Sequence, residues 1–277
     1  MTACRVLEVS RAGYYDWLRR GSEPLRGRAA ANASLVEQIR VIHDRRPSYG
    51  SPRVHRELLA DGHRVGVHRV ARLMRAEAIR ARRGRPRHKP RSAPPARRPE
   101  IVDLVRRRFR AAAPDRLWCT DVTQIATGEG WLYAAVILDA YSRRIVAWSI
   151  SHSTEMETSL AALRDALRAR RPAAGLIVHS DRGAHYTSAP WTNELFSRGM
   201  HASIGERGSA LDNAMIESWF SSFKQEALYP NPRPTTRAAA RLLMFEHIHF
   251  HNTERRHSAL DYLPPDEYEK LNTSPVR

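Results

Sequence analysis

The sequence predicts a mixed α/β core preceded by a small, strongly basic all-α unit. Three observations predict it. From Arg116 onward the apolar patterns follow the order β-β-β-α-β-α-β-α, which builds a sheet layered with helices. Before residue 80 only helical periods occur. The charge is also divided: of the +17 total, residues 1–100 carry 24 Lys/Arg against 9 Asp/Glu, while residues 101–277 carry 22 against 20. A basic segment beside a near-neutral body points to a nucleic-acid-binding arm joined to a domain with a different task.

The elements follow in chain order. Ser10 suits an N-cap before a helix at Arg11–Leu18, and Gly21–Arg28 breaks it. Leu35, Ile39 and Ile42 fall at i, i+4 and i+7, giving a second helix that ends at Pro47–Pro52. Pro52 suits the first turn of a third helix, Arg53–Ala60, and Asp61-Gly62 marks a turn. A fourth helix spans Val67 to Ile79, with Val70, Leu73 and Met74 inward and His68, Arg69, Arg72 and Arg75 outward. The last three helices with a basic final one fit a helix-turn-helix that binds DNA, or a plain helical bundle with a solvated arginine face. Arg80–Pro99 holds nine basic residues, no acidic one and five prolines. It cannot build a core, so an extended linker is expected. Its arginines, Arg82 and Arg83 foremost, can lie along phosphates.

In the core, Leu117–Ile125, Trp131–Leu138 and Arg143–Ser151 read as an antiparallel meander. Met156–Arg171 is a helix, Leu176–Ser180 a buried strand, Ala189–Arg198 a helix and His201–Ile204 a strand. Ala214–Leu228 and Arg237–His251 complete the core as helices. The domain boundaries read from these shifts are 1–28, 29–79, 80–110, 111–230 and 231–277.

Composition excludes several classes. No apolar run approaches the ~20 residues of a membrane-spanning helix. The first twenty residues lack a secretory pattern. Two cysteines, Cys4 and Cys119, suffice neither for a disulfide scaffold nor for a four-cysteine zinc site. The expected setting is the cytoplasm, in association with the nucleoid.

Three acids stand out. Asp121 lies inside a strand, where a charge is costly without a partner or a metal. Asp181 follows a strand end, where ligands bind in open α/β sheets. Glu217 shares a polar helix face with Asn213, Ser221 and Lys224, opposite an apolar stripe of Ile216, Phe220, Phe223 and Ala227. Asp139 also follows a strand and is their rival as a metal ligand.

Asp121 and Asp181 are sixty positions apart, with 35 residues between Asp181 and Glu217. This spacing resembles the DDE pattern of transposases and retroviral integrases. The words around it match as well: Trp118-Cys119-Thr120-Asp121-Val122-Thr123, His179-Ser180-Asp181-Arg182-Gly183, and Asp212-Asn213-Ala214-Met215-Ile216-Glu217-Ser218 with Lys224 seven positions on. His251-Asn252-Thr253-Glu254-Arg255-Arg256-His257-Ser258-Ala259-Leu260 resembles the C-terminal signature, and Tyr49-Gly50-Ser51-Pro52-Arg53-Val54 the helix-turn-helix segment. Together they resemble a bacterial insertion-sequence transposase, as made from the second of two overlapping frames.

That resemblance implies an RNase H-like core: a mixed five-stranded sheet flanked by helices, preceded by a small all-α helix-turn-helix domain. It implies that Asp121, Asp181 and Glu217 bind two Mg²⁺ ions, replaceable by Mn²⁺, and cut DNA at the element's ends. The freed 3′-OH then attacks target DNA. It implies self-association on DNA and fusion or cooperation with an upstream-frame product, since no heptad run for a zipper occurs here. The alternative is a non-catalytic DNA-binding regulator derived from a transposase. A retroviral-type integrase is disfavoured, because only Cys4 precedes the core where that type carries a His-His-Cys-Cys zinc module.

The lesser residues stay open. Lys224 fits a phosphate contact or a pair with a nearby Glu. Asn213 fits a helix cap or a DNA contact. His179 and His185 flank Asp181 without zinc-spaced partners. Arg255, Arg256 and His257 fit DNA contact or pairing with Glu254 and Asp261.

Overall fold

The computed structural model describes residues 10–22, 27–82, 101–205 and 213–273. The chain divides into two units, with the boundary after Arg82.

The first unit is helical: α1 (Arg11–Ser22), α2 (Gly27–Arg45), α3 (Ser51–Ala60) and α4 (Val67–Ala76). Ser10 caps α1 by accepting from the Gly13 amide at 3.0 Å. The expected break at Gly21–Arg28 is narrower than its composition suggests, because α1 continues through Ser22 and α2 resumes at Gly27. Leu35, Ile39 and Ile42 of α2 bury against Val54 and Leu58 of α3 and Val70, Leu73 and Met74 of α4. The helix at Val67 stops at Ala76 rather than Ile79: Ala78 takes φ 53°, which an α-helix cannot contain.

The second unit is a five-stranded sheet of order β3-β2-β1-β4-β5, made of β1 (Leu117–Thr127), β2 (Gly130–Asp139), β3 (Ile145–Ser151), β4 (Ile177–Ser180) and β5 (His201–Ile204). The first three strands form an antiparallel meander, and β4 and β5 add in parallel. Between strands run α5 (Glu155–Arg170) and α6 (Ala189–Phe196). After β5 come α7 (Ala214–Phe223), α8 (Arg237–Thr253) and α9 (Pro265–Thr273). The mixed sheet with helices on both faces is the architecture expected from the pattern.

Strand alternation sorts the core into two layers. Trp118 and Val178 face a layer with Leu163 and Leu167 of α5 and Trp191 and Leu195 of α6. Leu117, Cys119 and Ile125 face the other, with Ile216, Phe220 and Phe223 of α7 and Met244 and Ile248 of α8. Met215 and Trp219 are buried there too, so the apolar stripe of α7 is broader than its sequence period shows. The helix expected to run through Leu228 changes at Lys224 into a π-turn, Lys224–Leu228, in which the Tyr229 amide donates to the Lys224 carbonyl at 2.8 Å. Such turns concentrate at functional sites.

The C-terminal signature staples α8 to the edge strand. Asn252 accepts from the Ile145 amide at 2.9 Å and donates to the Ile145 carbonyl at 3.0 Å, completing the start of β3 as a neighbouring strand would. His251 Nε2 bonds the Arg143 carbonyl at 2.8 Å, which fixes the proton on Nε2. Among the described residues no helix is long and apolar enough to cross a membrane.

Candidate active site

Asp121 sits on the central strand β1 with 8% of its surface exposed. The last parallel pair of β1 and β4 is Cys119 with His179. Two residues beyond that pair stand Asp121, still within β1, and Asp181, one residue past the end of β4. Asp121 shares the parity of Cys119 and Ile125, the residues that face α7. Asp121 Oδ1 accepts from the Val122 amide at 2.8 Å, and Asp181 Oδ1 accepts from the Gly183 amide at 2.9 Å. Position 183 is tight: a Cβ there would lie 2.8 Å from His185 Cε1 and 3.1 Å from Asp181 Oδ1, so those side chains would have to shift.

Glu217 stands half-buried on α7. The helix is anchored by Asn213, whose Nδ2 donates to the Thr120 carbonyl at 3.1 Å. Thr120 is the neighbour of Asp121 and Asn213 lies one turn before Glu217, so this one bond ties the third acid's helix to the first acid's strand. Asn213 is 5% exposed and makes no side-chain cap bond. It stands at the N-cap position, but its side chain is turned to β1 instead of capping the helix. Its Oδ1 is buried with no hydrogen-bond partner among the described residues.

Tyr186, in the core layer with Trp118 and Val178, lies within reach of the charges of both aspartates. It is fully buried, and its hydroxyl is 3.5 Å from Thr120 Oγ1. Burial above all, then the charges of Asp121 and Asp181, push its ionisation well above the ordinary tyrosine range, so it stays a neutral hydroxyl. His185 rides on its ring at 3.9 Å between centroids, and its Nδ1 faces Glu155 at 3.7 Å. Burial lowers the His185 pKa despite Glu155 and Asp181 nearby. Nothing in the sequence marked Tyr186. The available signal was its position in the loop five residues after Asp181, too loose to use without the sheet register.

The remaining candidates separate. His179 turns away: it is buried, with Nδ1 2.9 Å from Ser203 Oγ and its ring edge-on to Phe109. Asp139 is fully buried and pairs across β1 with Trp118, toward the other end of the sheet. It accepts from the amides of Asp115, Tyr141 and Ser142, at 2.7, 2.8 and 3.2 Å, and so forms the β2–β3 turn. Burial raises its pKa. Arg255 is 6% exposed and pairs with Glu226 of the π-turn at 2.7 and 2.9 Å. Its partner is thus neither DNA nor the neighbouring acids Glu254 and Asp261. Lys224 is half-buried at the first position of the π-turn.

In the helical unit, Arg72 and Arg75 are exposed on α4. Arg69 is not presented outward as its helix face suggests: its Nε and Nη2 both donate to Asn32 Oδ1 of α2, at 3.0 and 2.7 Å. Arg82 is exposed, with its amide on the Pro47 carbonyl at 2.7 Å. Arg83 and most of the expected linker lie outside the described residues.

The donor set at the edge is all carboxylate oxygen, with His179 turned away and Cys119 buried and held as a thiol, its pKa pushed up to about 12 chiefly by burial. Such a set suits hard divalent cations rather than zinc. Among the described residues no three His, Cys, Asp or Glu side chains are close enough together to hold an ion as they stand.

Comparisons with known proteins show the family and the fold. A family model described as an integrase core domain matches residues 111–210, a second of the same description matches 198–265, and an HTH-like domain matches 30–87. The chain is 33% identical over 270 residues to Transposase InsF for insertion sequence IS3A of Escherichia coli (strain K12), covering 97% of this chain and 93% of that protein. It is 35% identical over 243 residues to the transposase for insertion sequence element IS904 of Lactococcus lactis subsp. lactis (strain IL1403), covering 86% and 94%. Among solved structures, a simian T-cell lymphotropic virus intasome shares the fold, with a TM-score of 0.50 at 13% identity over 87% of this chain and 77% of that one.

Proposed function

The chain belongs to the insertion-sequence transposases with an integrase core, and we propose that it cuts and joins DNA at the edge shared by Asp121, Asp181 and Glu217. Two features support this reading: the β1–β4 pairing ends two residues short of Asp121 and Asp181, and the Asn213–Thr120 bond ties the helix of Glu217 to β1.

Asp121, Asp181 and Glu217 would hold two divalent cations, Mg²⁺ by resemblance. Bound there, such ions supply charge for in-line displacement at phosphorus, polarising the attacking oxygen and stabilising the leaving one. By resemblance, Asp121 would serve both ions, and Asp181 and Glu217 one each. Lys224, two turns beyond Glu217, contacts a phosphate near the cut as a point charge. Tyr186, neutral and buried, supports the two aspartates without competing for their charge. Because cleavage and joining are both attacks by an oxygen on a phosphodiester, one site serves both and no covalent protein–DNA bond is required.

Arg72 and Arg75 of α4 and Arg82 contact the element ends, and Arg83 continues that strip. An upstream-frame product joined to this chain supplies further end recognition, and two copies assemble to hold two ends.

The test is Mn²⁺ binding followed by electron paramagnetic resonance, alongside cleavage of a duplex carrying an element end. Wild type is expected to bind Mn²⁺, and Asp121→Asn to lose that binding and at least about 10³-fold of cleavage. Cleavage that survived Asp121→Asn would overturn the assignment and leave a DNA-binding regulator.

A further inference from the structure

A cleft of about 850 Å³ runs between α5 and α6, on the side of the sheet away from α7. Arginines dominate its lining: Arg164, Arg168 and Arg171 from α5 and its end, and Arg198 just beyond α6. Two acids, Asp165 and Glu194, complete the charged set, leaving the lining net positive. We propose that this cleft is a second DNA surface, which grips the phosphate backbone of duplex leading away from the three acids. The proposal rests on the transposase reading for its partner and adds the place where that partner is held.

The spacing fits. Arg164, Arg168 and Arg171 stand four and three residues apart, so they share one helix face. They span about 10 Å of helix axis at 1.5 Å per residue. One strand of B-DNA presents a phosphate about every 3.4 Å of axis, hence about three in that length. The arms are also held in place. Glu194 accepts from Arg164 Nε and Arg198 Nη2, each at 2.9 Å, and so fixes one arginine on each wall. Asp165 pairs with Arg168. Arg171 ends α5 in the left-handed conformation, at φ 47°, and has no acidic partner among the described residues. A guanidinium that shares a carboxylate keeps donors to spare, and its planar fork matches phosphate oxygens.

The direction fits as well. The first residue of α5, Glu155, faces His185 in the loop after Asp181, so the helix starts at the acids' edge. Its last residue, Arg170, bonds Asp115 just before β1, at the opposite end of the sheet. Arg164 is nine residues from Glu155, about 14 Å or roughly four base pairs of duplex. A second copy of this chain would have to bring an acidic patch against this net-positive lining.

The experiment uses the full chain and a 40-bp duplex, with binding followed by fluorescence anisotropy from low to moderate salt. Arg164→Gln/Arg168→Gln/Arg171→Gln is expected to reduce the slope of log affinity against log salt by about 2.7, or 0.9 per phosphate contact. The same triple change to Lys is expected to keep the slope. Should the triple Gln chain fold poorly by thermal melting, Arg171→Gln alone, at the end of α5, is expected to lower the slope by about 0.9. An unchanged slope in the Gln chain overturns the proposal. So does a changed sedimentation coefficient of the DNA-free chain with an unchanged slope, which would assign the cleft to self-association. Mn²⁺ binding measured on the same chains separates the two readings: the cleft variants are expected to retain it within about twofold. Loss of the slope effect with Mn²⁺ binding intact fails the cleft alone, and a slope effect without any Mn²⁺ binding in the wild type fails the catalytic assignment alone.

Discussion

At the scale of single residues, Asn213 is the bridge between two acids far apart in sequence. Its amide bonds the Thr120 carbonyl in a buried setting, so truncation leaves an acceptor without its donor. That costs about 1–3 kcal/mol. Asn213→Ala is expected to lose this much stability in chemical denaturation and also to weaken Mn²⁺ binding by about tenfold or more, as removal of groups that orient metal ligands does. Lost stability with unchanged Mn²⁺ affinity would reduce Asn213 to a packing role. Gly183 makes a second case. In Gly183→Ala the new methyl meets the His185 ring and the Asp181 carboxylate. Because the ring can swing but the carboxylate cannot leave its strand end, the expected result is a folded chain with weakened Mn²⁺ binding, read by the same titration.

At the scale of elements, α7, its π-turn and α8 enclose polar groups that decide how the unit responds to pH. His247 and His251 of α8 are buried beside Trp219. Burial, the largest cause, lowers His247 to about 4 and takes His251 well below its ordinary value. An unfolded imidazole takes its proton near 6.5, so between pH 6.5 and 4 the unfolded state binds more protons than the folded one. Stability is complete above pH 6.5 and falls as pH drops, by up to about 1.4 kcal/mol per pH unit for each histidine. His247→Phe is expected to lessen the pH slope of unfolding free energy below 6.5 by about that amount, and an unchanged slope would mean His247 is already charged in the fold. The Arg255–Glu226 pair is a different case. Glu226→Gln strands a buried guanidinium and is expected to cost about 3 kcal/mol or more in chemical denaturation, whereas Glu226→Leu with Arg255→Met costs much less. A small cost for the single change would show that water reaches the pair.

These same elements mark where sequence reading stopped. Strands and helices were legible because each buries one face and so carries a period, as in Leu160, Leu163 and Leu167 on α5. The three acids stood out because Asp121 interrupts a buried strand, Asp181 follows one, and Glu217 completes a spacing that resembles the family's. Pairings across long separations left no such mark. Arg255 with Glu226, Arg69 with Asn32 and Asn213 with Thr120 each depend on which elements the fold brings together, and a one-dimensional pattern does not encode that. The π-turn at Lys224–Leu228 was invisible for a related reason: its residues keep a helical composition while the hydrogen-bond register shifts.

At the scale of the whole molecule, the question is how charge is divided between finding DNA and reacting with it. Residues 1–100 hold nearly all of the excess, yet the helical unit does not spend every arginine on solvent, since Arg69 is tied to Asn32. Arg72 and Arg75 remain exposed on the last helix, where a helix-turn-helix reads base edges. The α5–α6 cleft, by contrast, offers arginines at phosphate spacing and nothing that distinguishes one base pair from another. The two surfaces therefore predict different losses. Arg72→Gln/Arg75→Gln is expected to cut the preference for an element end over random duplex by roughly tenfold or more for each base contact removed. The cleft variants are expected to weaken both duplexes alike and leave the preference standing. Competition binding of the full chain, with the two duplexes at one fixed salt concentration, measures both. If Arg72→Gln/Arg75→Gln weakened the two duplexes equally, α4 would be a phosphate grip as well, and end recognition would have to come from elsewhere in the assembled transposase.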